Sequence, residues 1–209
     1  MSPQGGAGGL RQAWVRMVDA VRADHATLHR YDAKYAADRG DGDASLARDF
    51  VTRIGFQMLV ACRVMRFCHD ASIPLAPRVA SRAIRHLYGS DIHWEADLEP
   101  GIVLVHGMGL AISKAARVER GAILFQNVTL GLGTDPATRT VGAPVIGRDV
   151  VVGAGCTVIG PISVGRGSKV TANCLVRASV PPQSLVEAAT PLVSTRRPRG
   201  AGPSSEAKS

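Results

Sequence analysis

One stretch of the chain repeats an aliphatic residue at every sixth position. An α-helix repeats apolar residues every three to four positions, and a strand with one buried face repeats them every two. A period of six is typical of a β-helix, in which each six-residue unit forms one flat face of a coil. We therefore predict a mainly β fold in which three short parallel sheets enclose stacked aliphatic side chains. The residues that carry the period are Ile146, Val152, Val158, Val164, Val170 and Val176.

The same spacing occurs earlier in the chain, with one interruption. It runs from Ile92 to Leu110, skips two residues, and resumes from Ile112 to Leu130. It is then lost in the sequence GLGTDPATRTVGAP, which is rich in Gly, Pro and Thr. This composition predicts a projecting loop at residues 131–144, and such loops often line binding sites.

The remaining residues divide the chain into segments. Apolar residues ahead of the coils recur at helical intervals, so a small α-helical domain is predicted at residues 10–90, before a β-helix domain at 91–190. Residues 1–9 and the basic tail at 191–209 are predicted to be disordered. The predicted helices span about 10–37, 45–70 and 78–88, with an RGDGDA loop at 39–44 and a turn at 72–77.

Helical spacing also predicts which side chains are buried. The first helix places Trp14 and Leu28 on its apolar face, and the second places Phe50, Ile54 and Met58 on its own. The third helix collects basic residues on one side, namely Arg78, Arg82 and Arg85. The helical histidines, which are predicted to face solvent, are His25, His29, His69 and His86.

Composition limits the classes of partner. The net charge of +8 permits nucleic-acid binding, but no recognition motif accompanies it, so no nucleic-acid partner is expected. The charge suits an anionic substrate or a peripheral contact with a membrane surface. No apolar run is long enough to span a membrane and no signal-peptide core is present, so a cytoplasmic location is expected. The four cysteines form no CxxC pair, and Cys156 and Cys174, eighteen residues apart, are expected to stack as buried side chains.

The coil region resembles a known family. Residues 92–131, IHWEADLEPGIVLVHGMGLAISKAARVERGAILFQNVTLG, are similar to the serine acetyltransferase branch of the left-handed β-helix (hexapeptide-repeat) acyltransferases. The likeness includes the skip after Leu110 and continues through PVIGRDVVVGAGCTVIGPISVGRGSKV to the VPP at 180–182. It covers roughly residues 50–190. The resemblance implies a left-handed coil, assembly as a homotrimer or dimer of trimers, and acetyl-CoA as co-substrate, with no metal.

The resemblance also implies catalytic residues. An alcohol is a poor nucleophile at neutral pH, so a general base must take its proton as it attacks the thioester, and histidine suits this role. The family's base falls on His106 and its orienting carboxylate on Asp91. The two are fifteen residues apart, close to one coil, so they are expected to face each other across neighbouring coils. The alternative for His106 is a histidine satisfied by backbone groups at a coil corner, and His93 is expected to cap the start of the coil.

The coenzyme positions of the family fall on small or apolar residues and on two cations. In the family the coenzyme lies in the groove between adjacent subunits, where small side chains let it approach the backbone. Lys169 and Arg177 are candidates for the phosphates, although ordinary solvated charge explains each of them equally well. The other positions implied by the resemblance are Gly131, Leu132, Ala154 and Ala172.

Several departures from the family concern the acceptor. Serine-specific members carry a carboxylate at the position of Val105, a histidine at Ala143 and a glutamate at Lys114, and the RGDGDA loop lacks their Asp-Pro-Ala motif. Each lost group contacts the amino acid or supports a group that does. The VHGMGLAISK motif is closest to colanic-acid-type exopolysaccharide O-acetyltransferases. The expected acceptor is therefore a sugar hydroxyl of an exopolysaccharide or its precursor.

Two alternatives stay open. The first is serine O-acetylation for cysteine biosynthesis, and the second is a non-catalytic trimeric scaffold. Retention of Asp91 and His106 argues against the scaffold. No cysteine synthase complex is expected, because the sequence ends in Lys208 and Ser209 without the terminal isoleucine that docks in that complex.

Overall fold

The structure is a computed structural model that describes residues 7–35 and 45–190. Four α-helices precede a series of two- and three-residue strands in this part of the chain. The predicted RGDGDA loop, the C-terminal tail and residues 1–6 lie outside the described residues. The helices are α1 (Ala7–Tyr35), α2 (Leu46–Thr52), α3 (Ile54–Asp70) and α4 (Ala76–Tyr88).

The strands form three parallel sheets and one hairpin, and each coil gives one strand to each sheet in turn. Sheet A contains β1 (Asp91–Ile92), β4 (Ala111–Ile112), β7 (Thr129–Gly131), β12 (Thr157–Ile159) and β15 (Leu175–Val176). Sheet B contains β2 (Asp97–Leu98), β5 (Arg117–Val118), β10 (Val145–Ile146) and β13 (Ser163–Val164). Sheet C contains β3 (Val103–Leu104), β6 (Ile123–Leu124), β11 (Val151–Val152), β14 (Lys169–Val170) and β16 (Leu185–Val186). The hairpin pairs β8 (Gly133–Thr134) with β9 (Val141–Gly142).

The six-residue period is confirmed as the basis of the core. Val152 lies in register with Val170 eighteen residues later, and Val158 with Val176. The six residues that define the period are each 5% exposed or less. Side chains that stack in register along three sheets bury a continuous column of aliphatic groups, and the backbone of each coil pairs with the next.

Three coils depart from the regular length. Ile92 pairs with Ile112, so the first coil has twenty residues rather than eighteen. The predicted loop at 131–144 projects from the third coil and contains the β8–β9 hairpin. The last coil is shortened, because Val170 pairs with Val186 after only sixteen residues. Parallel pairing therefore continues beyond Pro181, within the predicted bounds of the β-helix domain.

The second predicted helix is two helices, and the prediction of one continuous helix was wrong. Arg53 adopts an extended conformation (φ −115°, ψ 98°) between α2 and α3. Its guanidinium makes a bidentate pair with Asp32 on α1 at 2.6 and 3.2 Å. The side-chain amide of Gln57 donates to the Val51 carbonyl beside the break. Tertiary ion pairing and close packing of α3 on the coil outweigh local helical preference here.

The buried faces of the helices also differ from the prediction. Trp14, Phe50 and Ile54 are 54%, 43% and 44% exposed, whereas Leu28 and Met58 are buried as predicted. Two of the helical histidines, His25 and His29, are part-buried against Asp49 instead of facing solvent. His69 and His86 are exposed as predicted. Helical period alone could not identify this contact because its polar members satisfy one another.

Helix α4 agrees with the prediction at its end but begins earlier. Pro77 lies in its first turn, where proline is tolerated because that N–H has no helical partner. Gly89 ends the helix in the left-handed region (φ 59°). The basic residues Arg78, Arg82 and Arg85 are exposed. No helix in the described ranges is both long enough and apolar enough to cross a membrane.

Cys156 and Cys174 are buried as predicted, at 0% and 4% exposed. Thr157 donates its backbone N–H to the Cys174 carbonyl, so the two cysteines occupy equivalent places in successive coils. Burial raises the pKa of the Cys156 thiol. On α3, burial raises the pKa of the Cys62 thiol to about 12, so this thiol stays protonated at neutral pH.

Candidate active site

The two extra residues of the first coil project His106 from the coil, and they lie ahead of Leu110 rather than after it, where the sequence period had placed the skip. Asn127 donates its backbone N–H to the Met108 carbonyl, which aligns Met108 with Gln126 of the next coil. Val105, two residues after strand β3 begins, still pairs with Leu124. His106 and Gly107 are therefore the extra residues, and they bulge from the corner between sheets C and A with φ of 65° and 66°. The left-handed conformation is uncommon for a histidine and turns its side chain outward.

The bulge is held from below by α3 and by Ser90. A Cβ on Gly107 would lie 2.8 Å from the Gly55 Cα, and one on Gly55 would overlap the Leu104 carbonyl. Both positions therefore require glycine, and α3 rests directly on the bulge. The buried Ser90 hydroxyl donates at 3.1 Å to the Gly107 carbonyl and accepts from the Leu110 N–H. These contacts fix the backbone on both sides of His106.

The corner that carries His106 continues along the coils through Gln126 to two alanines. Backbone hydrogen bonds from Gly155 to Gln126 and from Asn173 to Ala154 extend the alignment to Ala154 and Ala172. With coils about 4.8 Å apart, Met108 and Ala172 are separated by about 14 Å. The side-chain oxygen Oε1 of Gln126 is buried and has no hydrogen-bond partner among the described residues. A buried acceptor without a partner costs stability and is suited to receive an N–H from a ligand.

The structure does not bring Asp91 and His106 into contact. Asp91 starts strand β1, and its carboxylate accepts a 2.6 Å hydrogen bond from Arg85 of α4. Within the described part of the chain, no hydrogen bond or ion pair reaches the His106 ring. His93, expected to cap the first coil, accepts the Glu95 N–H at its Nδ1 and closes a local turn.

A pocket lies between the bulge and the helices. It has a volume of about 480 Å³, and its lining includes His106, Val105 and Phe125 from the coils. On its helical side lie Asp32 and Arg53, whose side chains are 16% and 26% exposed. Sequence reasoning missed this pair, since the two residues are twenty-one positions apart on different helices. Gln126 is the first residue of the QNVTLG motif, on which the family resemblance partly rests, but no role in the site was predicted for it.

The predicted coenzyme residues divide between two parts of the coil. Ala154 and Ala172 lie on the His106 corner. Gly131 and Leu132 lie at the far end of strand β7, where the hairpin starts. Lys169 begins a strand of sheet C, whereas Arg177 follows a strand of sheet A, and both are exposed. The two cations therefore lie on different faces of one subunit.

The residues that depart from the family have apolar or solvent contacts. Val105 is part-buried against the cluster formed by Leu28, Phe56 and Val103, a setting that suits an aliphatic side chain. Ala143 packs against the main core behind the hairpin, and Lys114 is exposed. Lys114 makes no ion pair with any residue of the described ranges.

Three parallel sheets built from six-residue units, small corner residues and a histidine projecting from an extra-long corner define the class of hexapeptide-repeat β-helix proteins. The chain is 32% identical over 127 residues to the serine acetyltransferase of Helicobacter pylori strain 26695, an alignment that covers 61% of this chain and 73% of that protein. It is 38% identical over 133 residues to the serine acetyltransferase of Synechococcus elongatus, covering 63% and 53% of the two chains. The chain belongs to the serine acetyltransferase family.

Structural comparison agrees on the fold. Serine acetyltransferase isoform 3 from Entamoeba histolytica, solved in complex with cysteine, superposes with a TM-score of 0.72 at 24% identity, over 91% of this chain and 64% of that one. The fold is thus the left-handed parallel β-helix preceded by helices, as predicted. No family model matches the chain. The chain spans about half the length of the first three curated relatives. These relatives are serine acetyltransferases, so the comparisons give no support to the expected membership of the exopolysaccharide O-acetyltransferase branch.

Proposed function

We propose that the protein is an acetyl-CoA-dependent O-acetyltransferase in which His106 is the general base and serine is the acceptor. One observation carries this proposal: the extra-long corner projects His106 into a pocket that also holds a carboxylate and a guanidinium. A base beside a pair of opposite charges is the arrangement that a zwitterionic alcohol requires.

The chemistry assigned to His106 is a proton relay. Its imidazole accepts the hydroxyl proton as the oxygen forms a bond to the thioester carbonyl carbon. When the carbon–sulfur bond breaks, the imidazolium returns the proton to the departing thiolate. Acetyl-CoA supplies the acetyl group as an activated thioester. Membership of the serine acetyltransferase family supports this donor, and the corner residues Ala154 and Ala172 leave room along the groove.

Asp91 is the proposed orienting group for the imidazolium. In the structure it pairs with Arg85, but both side chains of that pair are more than half exposed. Exposed ion pairs contribute about 0–1 kcal/mol, so exchanging Arg85 for His106 is inexpensive. A carboxylate on the imidazole fixes the tautomer that can accept the proton. Asp91 is thus a positioning residue rather than a group that touches the substrate.

Asp32 and Arg53 are the proposed contacts for serine. The guanidinium of Arg53 suits the substrate carboxylate, and the carboxylate of Asp32 suits the ammonium. They would replace the family groups that are missing at Val105 and Ala143. The existing pair holds both charges beside the pocket until the substrate separates them.

A sugar hydroxyl is the second candidate acceptor. At Val105 and Ala143 the chain lacks the polar groups that the family uses to hold the amino acid. Arg78 and Arg82 on α4 are exposed and offer positive charge to an anionic glycan. Such an acceptor needs no paired contact for ammonium and carboxylate.

We expect Asp32→Asn to lower kcat/KM for serine by roughly 10- to 150-fold, because one charge-assisted hydrogen bond of about 1.5–3 kcal/mol is lost. The measurement is release of the CoA thiol from acetyl-CoA with serine or with sugar acceptors. Asp19→Asn is the matched control, since Asp19 lies on the same helix and is 65% exposed. Turnover of a sugar with no turnover of serine would support the second candidate instead.

The protein is also proposed to assemble as a trimer or a dimer of trimers, which completes a groove between adjacent subunits. Four large apolar side chains on the coils and hairpin are more than half exposed in one subunit. Light scattering at micromolar concentration is expected to give three or six subunits, and a monodisperse monomer would contradict this. The exposed residues are Leu132, Val141, Leu175 and Leu185.

A further inference from the structure

Three metal-ligating side chains converge between helices α1 and α2, away from the His106 bulge. The Nε2 atoms of His25 and His29 each lie 2.9 Å from the same oxygen, Oδ2 of Asp49, and 3.1 Å from one another. The side chains of His25, His29 and Asp49 are 13%, 32% and 9% exposed. The cluster is therefore largely shielded but open to solvent on the His29 side.

The three distances fit the coordination shell of a divalent ion. Ligands about 2.1 Å from a metal are about 3.0 Å apart at adjacent octahedral positions and about 3.4 Å apart in a tetrahedron. The observed separations match one face of an octahedron. Two histidines and a carboxylate on one face are a known metal-binding set, which leaves the other positions for water.

Hydrogen bonds without a metal ion account less well for the short distances among these three side chains than a bound cation does. If both histidines donated to Asp49, two N–H groups would point at one oxygen from nitrogens only 3.1 Å apart. A cation among the three atoms removes this crowding. The nearby charges also favour a cation. Two carboxylates, Asp49 and Asp32, face one guanidinium, that of Arg53, which lies 3.7 Å from Asp49 and pairs with Asp32. One net negative charge remains for the ion.

We propose that His25, His29 and Asp49 bind a divalent transition-metal ion, with Zn²⁺, Co²⁺ and Ni²⁺ as the favoured class. Two histidines at positions i and i+4 share one face of a helix, which is the spacing that helical zinc sites use. Asp49 adds the third ligand from α2. The ion would join α2 to α1 and so stabilise the segment that places Arg53 in the pocket. The metal site lies apart from His106, and the proposal that it binds an ion does not rest on the proposed acetyl transfer.

The test uses the full chain without a histidine tag, freed of metal with a chelator. Calorimetric titration with Zn²⁺ is expected to give one equivalent bound per chain, and Co²⁺ should give visible d–d absorption bands. At free Zn²⁺ a hundred times the dissociation constant, Tm should rise by roughly 5–10 °C. Binding is read without acetyl transfer, so failure here leaves the proposed function untouched.

Variants assign the ligands. His29→Ala is expected to weaken Zn²⁺ binding by about 100-fold or more and to abolish the Tm shift, because second-sphere losses alone cost 10- to 100-fold. His86→Ala is the control, as His86 is exposed on α4. Circular dichroism checks that His29→Ala is folded. If the variant does not fold, the Zn²⁺ stoichiometry of the wild-type protein still tests whether the site binds metal. Absence of Zn²⁺ binding by the wild type, or equal affinity in both variants, would overturn the proposal.

Discussion

Replacing His106 with alanine is expected to lower kcat for acetyl transfer by about 10²–10⁴, the usual effect of removing a general base. Coenzyme binding should survive, because the row of small corner residues that is proposed to receive it is unchanged. The substitution should also fold, since the side chain is exposed and the bulge is held through Ser90, Gly55 and Gly107. Turnover by thiol release and coenzyme affinity by calorimetry measure the two effects separately.

Two control variants distinguish loss of the general base from loss of an unrelated histidine or of a positioning residue. His86→Ala removes an exposed histidine on α4 and should leave kcat within twofold or so. Asp91→Asn should lower kcat less than His106→Ala, and a shift of the pH profile for kcat would mark a positioning role. Turnover near the wild-type value in His106→Ala would mean that another group takes the proton.

Replacing Asp24 is expected to reduce the free energy of unfolding by about 3–5 kcal/mol, because it leaves the Arg63 charge buried without a partner. Asp24 on α1 is 1% exposed and accepts two hydrogen bonds from the Arg63 guanidinium at 2.9 and 3.0 Å. The same carboxylate accepts the backbone N–H groups of Gly101 and Ile102. Arg63 also donates to the carbonyls of Leu98 and Glu99. The pair thus fastens both helices to the first coil.

Thermal unfolding should show this loss as a fall in Tm of roughly 6–20 °C for a chain of this size. Asp24→Asn keeps an oxygen for the backbone donors, so it should cost less than Asp24→Ala, which also leaves those N–H groups unsatisfied. Asp19→Asn on the exposed side of α1 is the control and should stay within about 0.5 kcal/mol of wild type. Equal stability of Asp24→Ala and Asp19→Asn would show that the ion pair contributes nothing.

The double variant Asp24→Leu with Arg63→Met tests whether charge or hydrogen bonding dominates. Buried ion pairs replaced by apolar residues are often neutral in stability. Here the double variant should recover only part of the loss, because the backbone groups of Gly101 and Leu98 would have no partner. Full recovery would assign the whole effect to the unpaired charge.

The helical domain shows where sequence reasoning reached its limit. The end of α4 at Gly89 was predictable because glycine acts through local backbone geometry. Pro77 was expected in the preceding turn but lies in the first turn of α4, where proline is tolerated. The break at Arg53 was not predictable, because it depends on Asp32 from another helix. The burial of His25 and His29 was missed for the same reason, since their partner Asp49 comes from α2.

The sequence by itself determined the coil and the family. A period of six places one aliphatic side chain inward on every face. The burial of residues such as Val152 and Val158 can therefore be predicted from their positions in the period. The skip in the period and the QNVTLG motif carried the family resemblance, and the resemblance implied His106 as the base. These features are local in the sequence, and each six-residue unit shows the same spacing of aliphatic residues as its neighbours.

Only the tertiary structure decided what surrounds His106. The pocket, the Asp32–Arg53 charges beside it and the pairing of Asp91 with Arg85 join residues from separate elements. Such contacts depend on how helices dock on the coil, and no period in the chain encodes the docking. The acceptor depends on these docked side chains, and for this reason a pattern that fixed the fold left the choice between serine and sugar open.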